Sequence, residues 1–411
     1  MRIPRPFVAF AFLAAFVSAQ DLLVRNAKLV PIAGPDVAKT DVLIRDGRIA
    51  AIGEGLKADL SIPVIDAAGR TVMPAYVLAG TTEGLDRANE NMEITPYVSV
   101  LDAIDPTRPF FDDSVRDGVY TIHVMPGSRT VIGGTGRVIR PVGRVVEDMT
   151  IVPDPSVTFS MVPPQGNRAT QMAKLRGALD DAKRYLENKE AAADTRPSGS
   201  VKLDLERLAI ERRRETMARL LKKQMTAFTY CAEPGDVVRA LALAKEYGYQ
   251  QRLVLGPGTW KAADLLAAEK QPVIVSPEME AEETDPETGK PVRRELPAIL
   301  HAKGVPFALT ARPTSLGQRY LWYQAASVVR MGVPRDVALR AVTLTAAESI
   351  GLGKTKGSIE TGKDGDLLVL SDDPLSGRSW VDVGVIEGKV VYERRTDRRM
   401  VEVLGLGDGK N

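Results

Sequence analysis

The chain has 411 residues, 44% hydrophobic and 26% charged, enough for one large domain and a smaller one around a substantial core. Its 55 Lys and Arg nearly balance its 53 Asp and Glu, leaving a formal charge of +2 and no basic stripe with interleaved aromatics, so nothing points to nucleic acid. A single cysteine, Cys231, excludes an intrachain disulfide and leaves stability to the core.

At the N-terminus, Arg2 and Arg5 precede an apolar run from Phe7 to Val17 and then a Val-Ser-Ala step, which reads as a secretory signal over residues 1–19, cut after Ala19. The run is shorter than the roughly 20 residues a spanning helix needs, and Gln20 stands where a lipid anchor would want Cys. The expectation is an exported protein, periplasmic or extracellular, with no membrane attachment after cleavage.

From Asp21 to Asp66 the chain reads as short strands, with Asp46-Gly47 as a hairpin turn. The segment TVMPAYVLAGTTEG, Thr71 to Gly84, follows as an apolar strand buried on both faces whose C-terminal end faces a pocket. A helical stretch around Asp113 to Asp117 leads into a second buried strand, Val119 to Met125. The Gly-rich GGTGRV after it reads as a turn, since no helix pattern follows as a dinucleotide loop would require.

Gln171 to Met225 carries two helical patterns separated by ADTRPSGS. The charge run Glu211 to Glu215 mixes signs and reads as a solvated helix face. Beyond it the alternation is regular: strand MTAFTYC, a helix, strand RLVLG, a helix, strand PVIVS, a charged loop and helix, strand PFALT, a helix, and a last helix PRDVALRAVTLTAAESIG. Repeated units of this length imply an α/β fold with a parallel sheet and right-handed crossovers.

The tail GSIETGKDGDLLVL resembles the C-terminal segment of the amidohydrolase superfamily, through Gly357, Ser358, Ile359, Glu360, Gly362, Lys363, Asp366, Leu367, Val369 and Leu370. Thr71 to Gly84 resembles that family's first barrel strand, with Pro74 retained, and TLTAAESIGL extends the likeness; the imidazolonepropionase-like branch is the most similar. The resemblance implies a distorted (β/α)8 TIM barrel of the metal-dependent hydrolase type over residues 73–350, with its site at the C-terminal strand ends. It implies too a small composite β-sandwich built from residues 20–72 and 351–411.

In that family zinc or another divalent metal is held by two His on the first strand, one each on the fifth and sixth, and often a carboxylated Lys. An Asp at the eighth strand serves as base, while the metal activates water. Laid on this pattern, Gly80 and Thr82 replace the first-strand His pair, Tyr230 and Leu255 the next two His, and Ala311 the Asp. Ala75 and Leu78 replace the preceding Gly and Asp, and the Lys has no clear match, the nearest position being Ser160. The whole chain holds two His, His123 and His301, where the pattern needs four.

The expectation is therefore no metal cofactor, with Gly80, Thr82, Tyr230, Leu255 and Ala311 lining a smaller, more apolar pocket. Glu83, His123, Cys231, Glu233 and Asp236 fall near strand ends as substitute candidates, but no ligand spacing joins them. His123 inside a strand defaults to a hydrogen-bonded core histidine, and Cys231 to a small buried hydrophobe. Three functions stay open. The resemblance implies a hydrolase of non-peptide C–N bonds, acting on a cyclic amide. The absent ligands favour a catalytically silent pseudoenzyme that binds a small molecule, self-associates as a homo-oligomer, or pairs with an active homologue. The third is a metal-free enzyme using Tyr230, Glu83 or Glu233 for acid–base work.

Overall fold

The computed structural model describes residues 20–192, 205–312 and 316–403. Residues 1–19, expected to be a secretory signal, and residues 193–200, expected to be a loop, lie outside the described residues. Eight strands form the barrel sheet: Tyr76–Thr81, Val119–Val124, Ile132–Ile139, Thr150–Ser160, Thr226–Cys231, Gln251–Leu255, Val273–Val275 and Phe307–Leu309. They are ordered in space as in sequence, and the eighth returns beside the first, leaving the ring nearly closed.

The third strand departs from the all-parallel pattern, running antiparallel to both neighbours. Its connections, residues 125–131 and 140–149, are too short for the crossover of a dozen or more residues that parallel pairing needs. It also corrects the expectation of a turn, because GGTGRV lies within this strand and every residue of the strand is buried. The glycines are there for close approach. A Cβ on Gly136 would sit 2.6 Å from Ser156 Oγ and 2.7 Å from His123 Nε2, and one on Gly134 would collide with the Val98 carbonyl oxygen.

Two further readings need correction. The charged loop before the helix Leu296–Ala302 is a β-hairpin, Glu280–Thr284 paired with Pro291–Glu295, in which opposite charges meet across strands, as in Arg293 to Glu280 at 2.9 Å. The last long helix is two, Arg335–Ala341 and Leu344–Ser349, interrupted at Thr343 (φ −133°, ψ −95°). At the break the Val342 carbonyl accepts the Val77 N–H at 2.9 Å, so a helix end is tied to the first barrel strand.

Thr71 to Gly84 divides between two sheets. Thr71–Pro74 joins a second eight-stranded sheet drawn from both chain ends, and the strand reopens at Tyr76 in the barrel. In that second sheet Thr71–Pro74 sits between Leu22–Leu29, which it pairs in parallel, and the antiparallel tail strand Leu367–Leu370. Leu22, Val24, Ile44, Val72, Leu367 and Val369 form its own core. The tail motif and the Lys356 just before it supply its buried charges. Lys356 donates to Asp366 at 2.6 Å and pairs with Asp364 at 2.9 Å, while Lys363 donates to Ser358 Oγ and the Gly353 carbonyl.

Candidate functional site

Barrel strands alternate between a face toward the lumen and a face toward the helices. Tyr230 and Val254 are paired in register on the lumen side, and the neighbouring pair Cys231 and Leu255 is fully buried against the helices. At the C-terminal ends of the strands a cavity of about 440 Å³ opens, and Gly80, Thr82, Tyr230, Val254 and Ala311 all line it. Leu255 does not: the residue of the sixth strand that reaches the mouth is Val254, and the expectation for Leu255 is corrected by one residue, because a one-residue step along a strand exchanges faces.

The substitute candidates are scattered. Glu83 lines an adjoining cavity of about 170 Å³ that shares Ala311 and Arg312 with the mouth. Burial raises the Glu83 carboxyl above its ordinary value, opposed by Arg108 and Arg312. Asp117 lines the same side cavity, and burial, reinforced by the Asp113 charge, pushes its carboxyl up to about 7. Cys231 is fully buried and its thiol is pushed well up by burial, so it is no nucleophile. Glu233 is exposed at the start of the helix Pro234–Tyr247. Asp236 accepts the Glu233 N–H at 3.1 Å and forms a two-point ion pair with Arg168, which is a structural role.

His123 is fully buried on the second strand. The Ala79 carbonyl, 3.1 Å from Nδ1, can only accept, so Nδ1 carries the proton and Nε2 accepts from the Ser156 hydroxyl at 2.7 Å. The Phe228 ring packs edge-on against the imidazole at 4.5 Å, and Phe228 lines the mouth cavity while His123 does not. His301 lies on the outer helix Leu296–Ala302.

Loop residues that sequence reasoning did not single out complete the mouth. Asn89 accepts the Arg129 N–H at 2.9 Å, and Gly127 donates to the Ala88 carbonyl, joining the loop after the first strand to the loop after the second. Ser128, Arg129, Ser276 and Thr310 line the cavity as well. Thr158, rather than the neighbouring lumen position Ser160, reaches it from the fourth strand; its buried Oγ1 has no hydrogen-bond partner among the described residues. Ser160 instead spends its hydroxyl on the Val162 carbonyl at 3.0 Å. Period-two alternation could have flagged Thr158; nothing in the sequence marked the loop residues. Burial and the nearby Glu278 carboxylate raise the Tyr230 phenol.

Divalent metals on proteins want imidazole, thiolate or carboxylate donors. No His, Cys, Asp or Glu lines the mouth cavity, and no group of three or more such side chains gathers among the described residues. The residues at the strand ends do not fit the metal that this type of barrel employs. What they offer is hydroxyls, one amide and two guanidinium groups on an apolar floor of Met125, Phe228, Val254 and Ile274.

A nearly closed eight-stranded barrel beside a sheet made from both termini defines a hydrolase-type TIM barrel. The model of the Amidohydrolase family matches residues 284–391. The amidohydrolase tasK of Hapsidospora irregularis is 24% identical over 387 residues, covering 82% of this chain, and the imidazolonepropionase of Thermoplasma acidophilum is 30% identical over 100 residues, covering 22%. This chain spans 38% of the length of the first and 24% of the second. An amidohydrolase structure from Thermotoga maritima superposes with a TM-score of 0.80 at 26% identity, over 90% of this chain and all of that one. A prolidase complexed with N-methylphosphonate-L-proline shares the fold at a TM-score of 0.56 and 14% identity, over 91% of this chain and 100% of its own. The family-model match, the curated relatives and the shared fold together support the amidohydrolase superfamily for this chain.

Proposed function

We propose that this protein is an exported, ligand-binding member of the superfamily that does not run its metal-dependent hydrolysis. The observation that carries the reading is the donor set of the mouth cavity. The positions matched to the family's four metal-binding His and its Asp base hold neither His nor Asp, and no acid, imidazole or thiolate among the described residues lines the cavity in their place. Hydrolysis of an amide needs an activated water and a proton acceptor. Binding needs only shape and a few convergent polar groups, which Thr82, Asn89, Tyr230 and the unpartnered Thr158 hydroxyl supply. Arg129, exposed at the rim and without a carboxylate partner among the described residues, suits an anionic group on the ligand. A homo-oligomer or an active homologue as partner is consistent with the same reading.

A second reading rests on the side cavity. Glu83 and Asp117 both line it, both are held toward the protonated form, and it adjoins the mouth through Ala311 and Arg312. That pair could serve acid–base chemistry on a cyclic amide without a metal.

The test is a hydrolysis panel of cyclic and open-chain amides, run with zinc-incubated and chelator-treated protein, alongside native mass spectrometry of the purified protein. The binding reading expects no turnover above buffer and a small-molecule adduct that weakens in Arg129→Gln and Tyr230→Trp. Turnover abolished by Asp117→Asn or Glu83→Gln would replace it with the second reading.

A further inference from the structure

The opposite end of the barrel holds a cavity of about 340 Å³ lined by the starts of the fourth and fifth strands, the end of the helix Leu205–Leu221, and the turn after Leu344–Ser349. In barrels of this kind that face serves stability. Here it gathers Arg219, Lys223 and Arg252, none of which has an ion pair with a carboxylate among the described residues. Arg219 reaches only the Asp154 carbonyl oxygen, at 3.4 Å, and Arg252 only the Gln251 carbonyl oxygen, at 3.1 Å, with its buried Nε unpartnered.

The cavity's one carboxylate, Asp154, is committed elsewhere. Its Oδ1 accepts from Ser99 at 3.0 Å and Thr135 at 3.1 Å and lies 3.5 Å from Arg137, itself outside the cavity lining. Two of the lining residues, Asp154 (φ 46°) and Lys223 (φ 58°), hold the left-handed conformation, which Asp adopts more readily than most residues and Lys does not. At Lys223 this is the residue closing the helix, a position where glycine is the usual choice. A lysine there complements the helix C-terminus, but that effect does not account for Arg252, which comes from the sixth barrel strand.

A partly buried cation with no counter-charge is costly unless an anion is supplied. We infer that this cavity binds a compact anion of the phosphate class, held between Arg219, Arg252 and the rim residue Lys223, at a site separate from the mouth. His123 and Phe228 form the cavity's inner wall, and Phe228 also floors the mouth, so the two sites share one aromatic side chain. Guanidinium pairs suit phosphate oxygens geometrically, and the desolvated setting strengthens each contact.

The test is thermal unfolding of the full mature protein at pH 7 against inorganic phosphate, with ionic strength held constant by sodium chloride. A saturable rise in midpoint of about 2–4 °C in the millimolar range is expected. It should vanish in Arg252→Gln and in Lys223→Gly and persist in Arg129→Gln at the mouth. Lys223→Gly guards against a folding artefact, because glycine accepts φ 58° without strain and should leave the phosphate-free midpoint unchanged or higher. A rise that never saturates, an equal rise in the two cavity variants, or loss of the rise in Arg129→Gln would overturn the site.

Discussion

Nε2 of His123 lies 2.7 Å from the Ser156 hydroxyl, and Nδ1 lies 3.1 Å from the Ala79 carbonyl, so both ring nitrogens are spent inside the barrel wall. Burial lowers this imidazole to about 4, despite the opposing bond to Ala79. The unfolded chain binds the proton at an ordinary histidine value near 6.5, so the neutral ring's contribution is fully present above pH 6.5 and is lost as pH falls through 4. The full span corresponds to about 3 kcal/mol. His123→Gln should lower stability at pH 7.5 and flatten its decline between pH 6.5 and 4, measured by urea unfolding at each pH.

Asp117 has the opposite sign. Its carboxyl is raised to about 7 from 3.8, so the folded state is favoured below pH 3.8 and penalised as pH rises through 7. Asp117→Asn should raise stability at pH 8 by on the order of 2 kcal/mol, roughly half the full linkage value because the side chain is partly exposed to solvent. At pH 4 it should change little. Paired denaturant curves at the two pH values check this.

The step between Val254 and Leu255 gives a third expectation. Leu255 is fully buried between barrel and helices, so Leu255→Ala should cost about 2–5 kcal/mol in chemical unfolding. Val254 faces the mouth cavity, and Val254→Ala should cost about 1 kcal/mol or less while altering ligand occupancy.

Lys356 is buried between Asp364 and Asp366, 2.9 and 2.6 Å away. Removing the cation would strand two carboxylates, so Lys356→Met should lose about 3–5 kcal/mol by chemical unfolding. Asp366 also accepts the Glu387 N–H at 3.0 Å, which ties the tail strand to the turn of the last hairpin.

These cases show why the fold was legible and the site only in part. The tail residues Gly357 to Leu370 serve the terminal sheet, and their pattern survives whatever happens at the strand ends. The fifth, sixth and eighth strands were each placed correctly because short apolar runs between helices leave few alternatives. Leu255 was misassigned because a buried strand is apolar on both faces, so period-two alternation carries no sign of which side is the lumen. GGTGRV looked like a turn because glycine marks both turns and close backbone approach, and only the partners of Gly134 and Gly136 distinguish them. Asn89, Ser128 and Arg129 come from loops whose meeting depends on the whole barrel. The three cations beneath the barrel, Arg219, Lys223 and Arg252, span 33 positions in sequence, and no local pattern joins them.

The most direct test of the account is the metal content of the purified protein after incubation with zinc, manganese, nickel and iron, followed by removal of loosely bound excess. The donor set of the mouth cavity predicts metal well below one equivalent for each ion, unchanged in Tyr230→Phe. One or two equivalents, lost in Tyr230→Phe or Asn89→Ala, would show that the strand ends hold a metal after all and would contradict the assignment of this cavity to metal-free binding.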